Sequence, residues 1–168
     1  MEDRLHFIKN GYLLAATNPR PMLFKKILIA VNDDDYARKP AELGFKMAKA
    51  FDAEVALIFV IDPQLSVANM DTSIPVLDIL DILKKEAEDT LGRLTRQYAQ
   101  GMPVTRFTPE GKPTAEILNT AKEWQADLIV MGTHGRSGLL QLFTGSISAY
   151  VKHHSKVPVL IVPTQREK

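Results

Sequence analysis

Between Gly132 and Ser148 the chain reads GTHGRSGLLQLFTGSIS, with glycines interleaved among small hydroxyl residues. Glycine has no Cβ and tolerates positive φ, so main-chain N–H groups beside it can crowd around an anion. The apolar run Leu128 to Met131 leads into this stretch and reads as a strand, and a helix is predicted from Ser146 to His153. The first turn of such a helix carries unpaired N–H groups and the positive end of the helix dipole, which together hold phosphate without a lysine. Gly145 and Ser146 stand at its start and add N–H and hydroxyl donors. The chemistry these residue types support is the close wrapping of a phosphate group.

Other polar side chains point to less. His134 fits a ligand contact better than a catalyst, and Arg136 is a candidate partner for a phosphate oxygen. Asp33, Asp34 and Asp35 have the oxygen ligands that Mg²⁺ prefers. Acids at the start of a helix, however, cap it and complement its dipole with no metal involved. His153 and His154 lie near a helix C-terminus, where the dipole favours them, and have no ligand partner at metal-binding spacing. No metal site built on protein side chains is expected. The chain has no Gly-x-x-x-x-Gly-Lys-Ser/Thr loop, no Gly-x-Gly-x-x-Gly after its first strand and no Gly-x-Ser-x-Gly elbow. It also has no paired carboxylates of the glycosidase kind. With no cysteine, disulfides and thiolate catalysis are excluded as well. No catalytic residue is assigned.

A phosphate cradle of this kind has to be carried on a scaffold of strands and helices. Ile27 to Val31 and Val55 to Ile61 are nearly continuous apolar, β-branched runs, as expected of strands covered on both faces. Between them, Tyr36 to Phe51 places Ala41, Phe45 and Ala48 on one helical face, completing a βαβ unit. Pro75 to Gln100 is the clearest helix, with Val76, Leu80, Leu83, Ala87, Leu91, Leu94 and Tyr98 at steps of three and four. Lys84, Lys85, Glu86 and Glu88 face away from that stripe, and Gly101 is the stop signal. Thr105 and Arg106 interrupt the weaker strand Pro103 to Thr108, which suits a sheet edge. Pro113 opens a further helix with Ile117, Leu118, Ala121 and Trp124 as its buried stripe, and Pro158 to Val162 is the last strand.

Five strands alternating with four helices predict an α/β fold, a parallel sheet with helices on both faces. Ligands of such sheets bind beyond the C-terminal strand ends, where the strand order reverses, and the glycine stretch leaves the fourth strand at that end. At 168 residues, 45% hydrophobic and 24% charged, the chain is long enough for one sizeable core. The formal charge of +1 comes from scattered lysines and arginines, so no nucleic-acid partner and no anionic membrane surface is expected. No apolar run approaches the roughly 20 residues of a spanning helix. Residues 1–24 read as an appendage, because Asn18-Pro19-Arg20-Pro21 breaks regular structure and the apolar piece before it is too short for a secretory signal. Met22 is an alternative start. The domain is expected over residues 25–163, followed by a tail over 164–168.

The spacing Gly132-x-x-Gly135, nine residues, then Gly145-Ser146, resembles the ATP-binding signature of the universal stress protein family. The resemblance extends to the order of elements, with strands ending at Val31-Asn32 and at Phe59-Val60-Ile61-Asp62-Pro63 and a last strand from Pro158 to Val162. It implies a single domain of three α/β/α layers, Rossmann-like and of the adenine nucleotide alpha hydrolase-like kind, with strand order 3-2-1-4-5. It implies an adenine nucleotide, ATP, ADP or AMP, with Mg²⁺ carried by the phosphates. The base is then expected at Ala30, Val31, Asn32 and Val60. Ribose and phosphates are expected at Met131, Gly132, His134, Gly135, Arg136, Gly145, Ser146, Ile147 and Ser148. Where the family usually has Asp at the end of the first strand, this chain has Asn32, which accepts through its carbonyl oxygen but brings an amide donor and no charge.

A full cradle with no evident general base favours a nucleotide-binding regulatory module of the stress response over an enzyme. Ser137, Thr144, Ser146 and Ser148 keep a slow ATPase or a self-modifying phosphotransferase as the alternative. A cytoplasmic homodimer is expected, assembled through the last strand, because an apolar strand at a sheet edge needs a cover.

Overall fold

The computed structural model describes residues 24–32, 38–63, 76–133 and 147–163. Along these segments run β1 (Lys26–Val31), α1 (Arg38–Phe51), β2 (Glu54–Phe59), α2 (Val76–Tyr98), β3 (Val104–Phe107), α3 (Pro113–Glu123), β4 (Leu128–Gly132), α4 (Ile147–His154) and β5 (Val159–Val162). All four strand pairings are parallel and the sheet order is β3-β2-β1-β4-β5.

This order follows from two opposite steps. The chain moves from β1 to β2 to β3 in one direction, then crosses back to β4 and on to β5 in the other. Right-handed crossovers put the helices of opposite steps on opposite faces. Ile27, Ile29, Val55, Leu57, Leu128 and Val130 accordingly pack against Ala41 and Phe45 of α1 and Leu83, Ala87 and Leu91 of α2. The alternate residues Leu28, Ala30, Ala56, Ile58, Ile129 and Met131 pack with Ile117 and Ala121 of α3 and Val151 of α4. Covered on both sides, the central strands need apolar residues at consecutive positions, which is why they show no alternation in sequence. The edge strand β3 is half covered, with Thr105 and Arg106 exposed.

Two local devices fix the centre of the sheet. Gly44 lets α1 lie close to β1, since a Cβ at that position would stand 2.5 Å from Ile29 Cδ1 and 2.7 Å from Ile29 Cγ1. At the N-terminal edge the Asp127 carboxylate accepts from the N–H of Lys25 (2.7 Å) and of Lys26 (3.2 Å), and the Asp127 N–H donates to the Lys26 carbonyl (2.9 Å). The bracket locks β1 to β4, the pair whose other ends flank the point where strand order reverses.

The helix boundaries depart from expectation in small ways. The second helix stops at Tyr98 instead of Gln100, because Gln100 already has φ 48° and Gly101 follows at φ 88°. On the same helix Ile79 is fully covered, whereas Leu80 is only partly so.

Candidate functional site

The C-terminal ends of β1 and β4 lie side by side, with Ala30 in register with Met131. From this shared edge the chain leaves β1 toward α1 on one face and leaves β4 toward α4 on the other. Helices α1 and α4 cover opposite faces of the sheet, so β1 and β4 flank the point of strand reversal beyond which ligands of such sheets bind. Ala30 and Met131 are buried at these strand ends, while Val31, Asn32, Gly132 and Thr133 are partly exposed. Gly132 is the last residue of β4 and pairs in register with Val162. It is extended, so what it offers a ligand is the missing Cβ and not a left-handed backbone. The Thr133 N–H continues the ladder by donating to the Val162 carbonyl (3.1 Å).

On the far side of β1, β2 ends at Phe59, and Val60 packs against the core of the α3 and α4 face. The helix α4 runs antiparallel to the strands it connects, so its first turn, Ile147 and Ser148, returns to the edge formed by the C-terminal strand ends. Ser148 is buried and Ile147 is about one-third exposed. The positive dipole end of that turn faces the same edge. The structure thus gathers Ala30, Val31, Asn32, Val60, Met131, Gly132, Ile147 and Ser148 at one end of the sheet. His134, Gly135, Arg136, Gly145 and Ser146 lie outside the described residues, as do Asp33, Asp34, Asp35, Ser137 and Thr144.

One part of this edge escaped the sequence reading. Ile61, two residues past β2, forms a parallel bridge with Glu110. Its N–H donates to the Pro109 carbonyl (2.9 Å), and its carbonyl accepts from the Gly111 N–H (2.9 Å). Lys84 of α2 donates to Glu110 Oε1 at 2.8 Å. That hydrogen bond, then the Glu110 charge, raises the Lys84 pKa, with Asp81 adding to the effect. A lysine pKa raised on folding contributes stability at every pH below its unfolded value and loses it only as pH climbs through the folded one. Lys84 therefore keeps its charge at neutral pH. The only signal for this loop in sequence is the turn-forming run Pro109-Glu110-Gly111.

Hollows among the described residues lie elsewhere. One of about 270 Å³ lies between α1 and the end of α2, beside Phe45, Lys49, Tyr98 and Met102. Another runs along the outer face of α2, past Ile82, Asp89, Arg93 and Arg96. Neither includes a strand end. Among the described residues no group of three or more His, Asp or Glu side chains is placed to hold a metal ion.

Comparison with known proteins gives a consistent set of relatives. The sequence model of the universal stress protein family matches residues 23–163. Universal stress protein MJ0531 of Methanocaldococcus jannaschii is 33% identical over 164 residues, spanning 97% of this chain and 94% of its own. Among solved structures, MJ0577 of the same organism superposes with a TM-score of 0.68 at 28% identity, covering 86% of this chain and 99% of the other. A universal stress protein in complex with cAMP (TM-score 0.62, 21% identity, 85% and 99% covered) has the same fold. So does one from Archaeoglobus fulgidus in complex with dAMP (TM-score 0.57, 20% identity, 83% and 98% covered).

Proposed function

The chain belongs to the universal stress protein family, and from that premise we propose that it is an adenine-nucleotide-binding regulatory module whose site is the crevice between β1 and β4. The observation that carries this reading is the pairing of Ala30 with Met131 at the reversal of strand order. Gly132 follows Met131 at the end of β4, and α4 begins at the same end of the sheet. The complexes of two structural relatives with cAMP and dAMP support the same ligand class.

In this reading the base rests against Ala30, Val31, Asn32 and Val60. The ribose and phosphates take Met131, Gly132, His134, Gly135, Arg136, Gly145, Ser146, Ile147 and Ser148. The missing Cβ of Gly132 admits a phosphate close to the main chain, and the first turn of α4 supplies N–H donors and a favourable field. Any Mg²⁺ is held through the phosphates. Asn32 accepts a hydrogen bond through its side-chain oxygen without adding negative charge. Residues 25–163 form the working unit, with 1–24 as an extension and 164–168 as a tail. The cytoplasm, where ATP and AMP are abundant, is the compartment such a site serves. No described helix is long and apolar enough to cross a membrane.

Calorimetric titration with ATP and AMP tests the proposal. Binding is expected for the natural sequence and its loss for the paired change Gly132→Val, Gly135→Val, with the thermal unfolding midpoint retained. Unchanged affinity in that variant removes the crevice as the site. Steady release of ADP from bound ATP replaces the regulatory module with an ATPase.

A further inference from the structure

We propose that Lys84, Glu110 and Gly111 are positioning residues for the base end of the nucleotide site, clamping the exit of β2 so that Val60 keeps its place. The inference rests on the nucleotide-binding reading above.

Beyond Phe59 the chain has left the regular ladder of β2, yet Ile61 is held on both sides of its peptide by Pro109 and Gly111. Val60 is thereby pinned between the end of the strand and a bridge one residue later. The bridge is anchored from a second direction, because the Glu110 side chain is bound to Lys84 on α2. The turn also has little room for any residue but glycine at position 111. Gly111 has φ 147°, a region that L side chains rarely adopt. A Cβ there would stand 3.1 Å from Glu116 Cγ and 3.2 Å from Glu116 Oε1. Three elements, α2, the loop before α3 and the start of α3, thus converge on the two residues that follow β2.

The clamp stands apart from the phosphate side. Lys84 is on α2, which covers the face opposite α4. Its ion pair with Glu110 is about half exposed, 51% and 42% for the two side chains, a setting in which such pairs add little to global stability. What it governs is local, the placement of a backbone segment one residue from the base contact. Loosening that segment alters how the base is read and leaves the phosphate cradle as it was.

The test compares ATP with GTP, which present the same phosphates and different bases. The full-length chain and its Lys84→Met, Lys84→Arg and Gly111→Ala variants are titrated with each nucleotide by calorimetry. Lys84→Met is expected to weaken ATP binding about threefold and Gly111→Ala about tenfold. GTP affinity changes less, so the ATP-to-GTP ratio falls, and Lys84→Arg keeps the natural ratio. An equal loss for both nucleotides, or no loss in Lys84→Met, overturns the clamp while leaving the nucleotide site standing. A natural sequence that binds ATP and GTP equally overturns it too, because the base is then not read. A natural sequence that binds neither overturns the underlying site together with the clamp.

Discussion

Single side chains do more here than their types suggest. Lys84 belongs by sequence to the solvent face of a long helix, and it does stay half exposed, yet its ammonium reaches Glu110 in another element. Asp127 reads as a polar residue leading into a strand, whereas its carboxylate serves the N–H groups of both Lys25 and Lys26. Replacing it by alanine leaves those donors without their protein acceptor, one of them partly buried. Asp127→Ala is expected to cost about 1–2 kcal/mol in urea unfolding. An unchanged midpoint would mean that water serves both N–H groups equally well and that the bracket holds nothing. Gly132 shows the same gap between residue type and use. Sequence singles it out as a place where a backbone can come close, and the structure places it as the last residue of β4, in register with Val162.

At the scale of elements, Gly44 sets how closely α1 lies against β1. Gly44 faces Ile29, which is fully buried and has nowhere to retreat. Gly44→Ala gains helix propensity of roughly 1 kcal/mol. Overpacking against Ile29 costs about 1–3 kcal/mol. A net loss of about 1 kcal/mol is expected in equilibrium denaturation, and a gain would show that α1 can slide outward. The nine elements named above were legible in the sequence, because helical stripes of period 3.6 and short apolar runs survive without tertiary context. Their ends were less so. The end of α2 depends on Gln100 taking a left-handed φ, a conformation that residue type does not announce. Ile79 and Leu80 are both apolar and adjacent, so the pattern alone could not say which one enters the core. The Ile61–Glu110 bridge was invisible for a different reason, since main-chain hydrogen bonds leave no mark on side-chain pattern. Of the candidate site, the strand ends and the first turn of α4 were legible because the topology forces them to one edge.

For the whole molecule, the sheet divides the interior into two cores and leaves β3 and β5 as its borders. They are guarded differently. Exposed Thr105 and Arg106 make β3 a poor template for another strand. On β5, Val159, Leu160 and Ile161 remain only partly covered, and Pro158 immediately precedes the strand. A second copy of the chain laid along β5 would cover that border. Sedimentation at tens of micromolar is expected to give a two-chain species, and a single-chain species at that concentration would leave β5 uncapped and the dimer refuted.

The Asp127 bracket has a temporal side. It joins residues 102 positions apart in sequence, and the crevice stands between the same two strands. A chain emerging from the ribosome from its N-terminus can assemble β1, α1, β2 and α2 early, since their contacts are near in sequence. Until β4 inserts beside β1 and α4 folds back, only one wall of the crevice exists. The ends of β1 and β4 are therefore brought together last, with the final quarter of the polypeptide, and a chain that stops before Leu128 lacks one side of the proposed site.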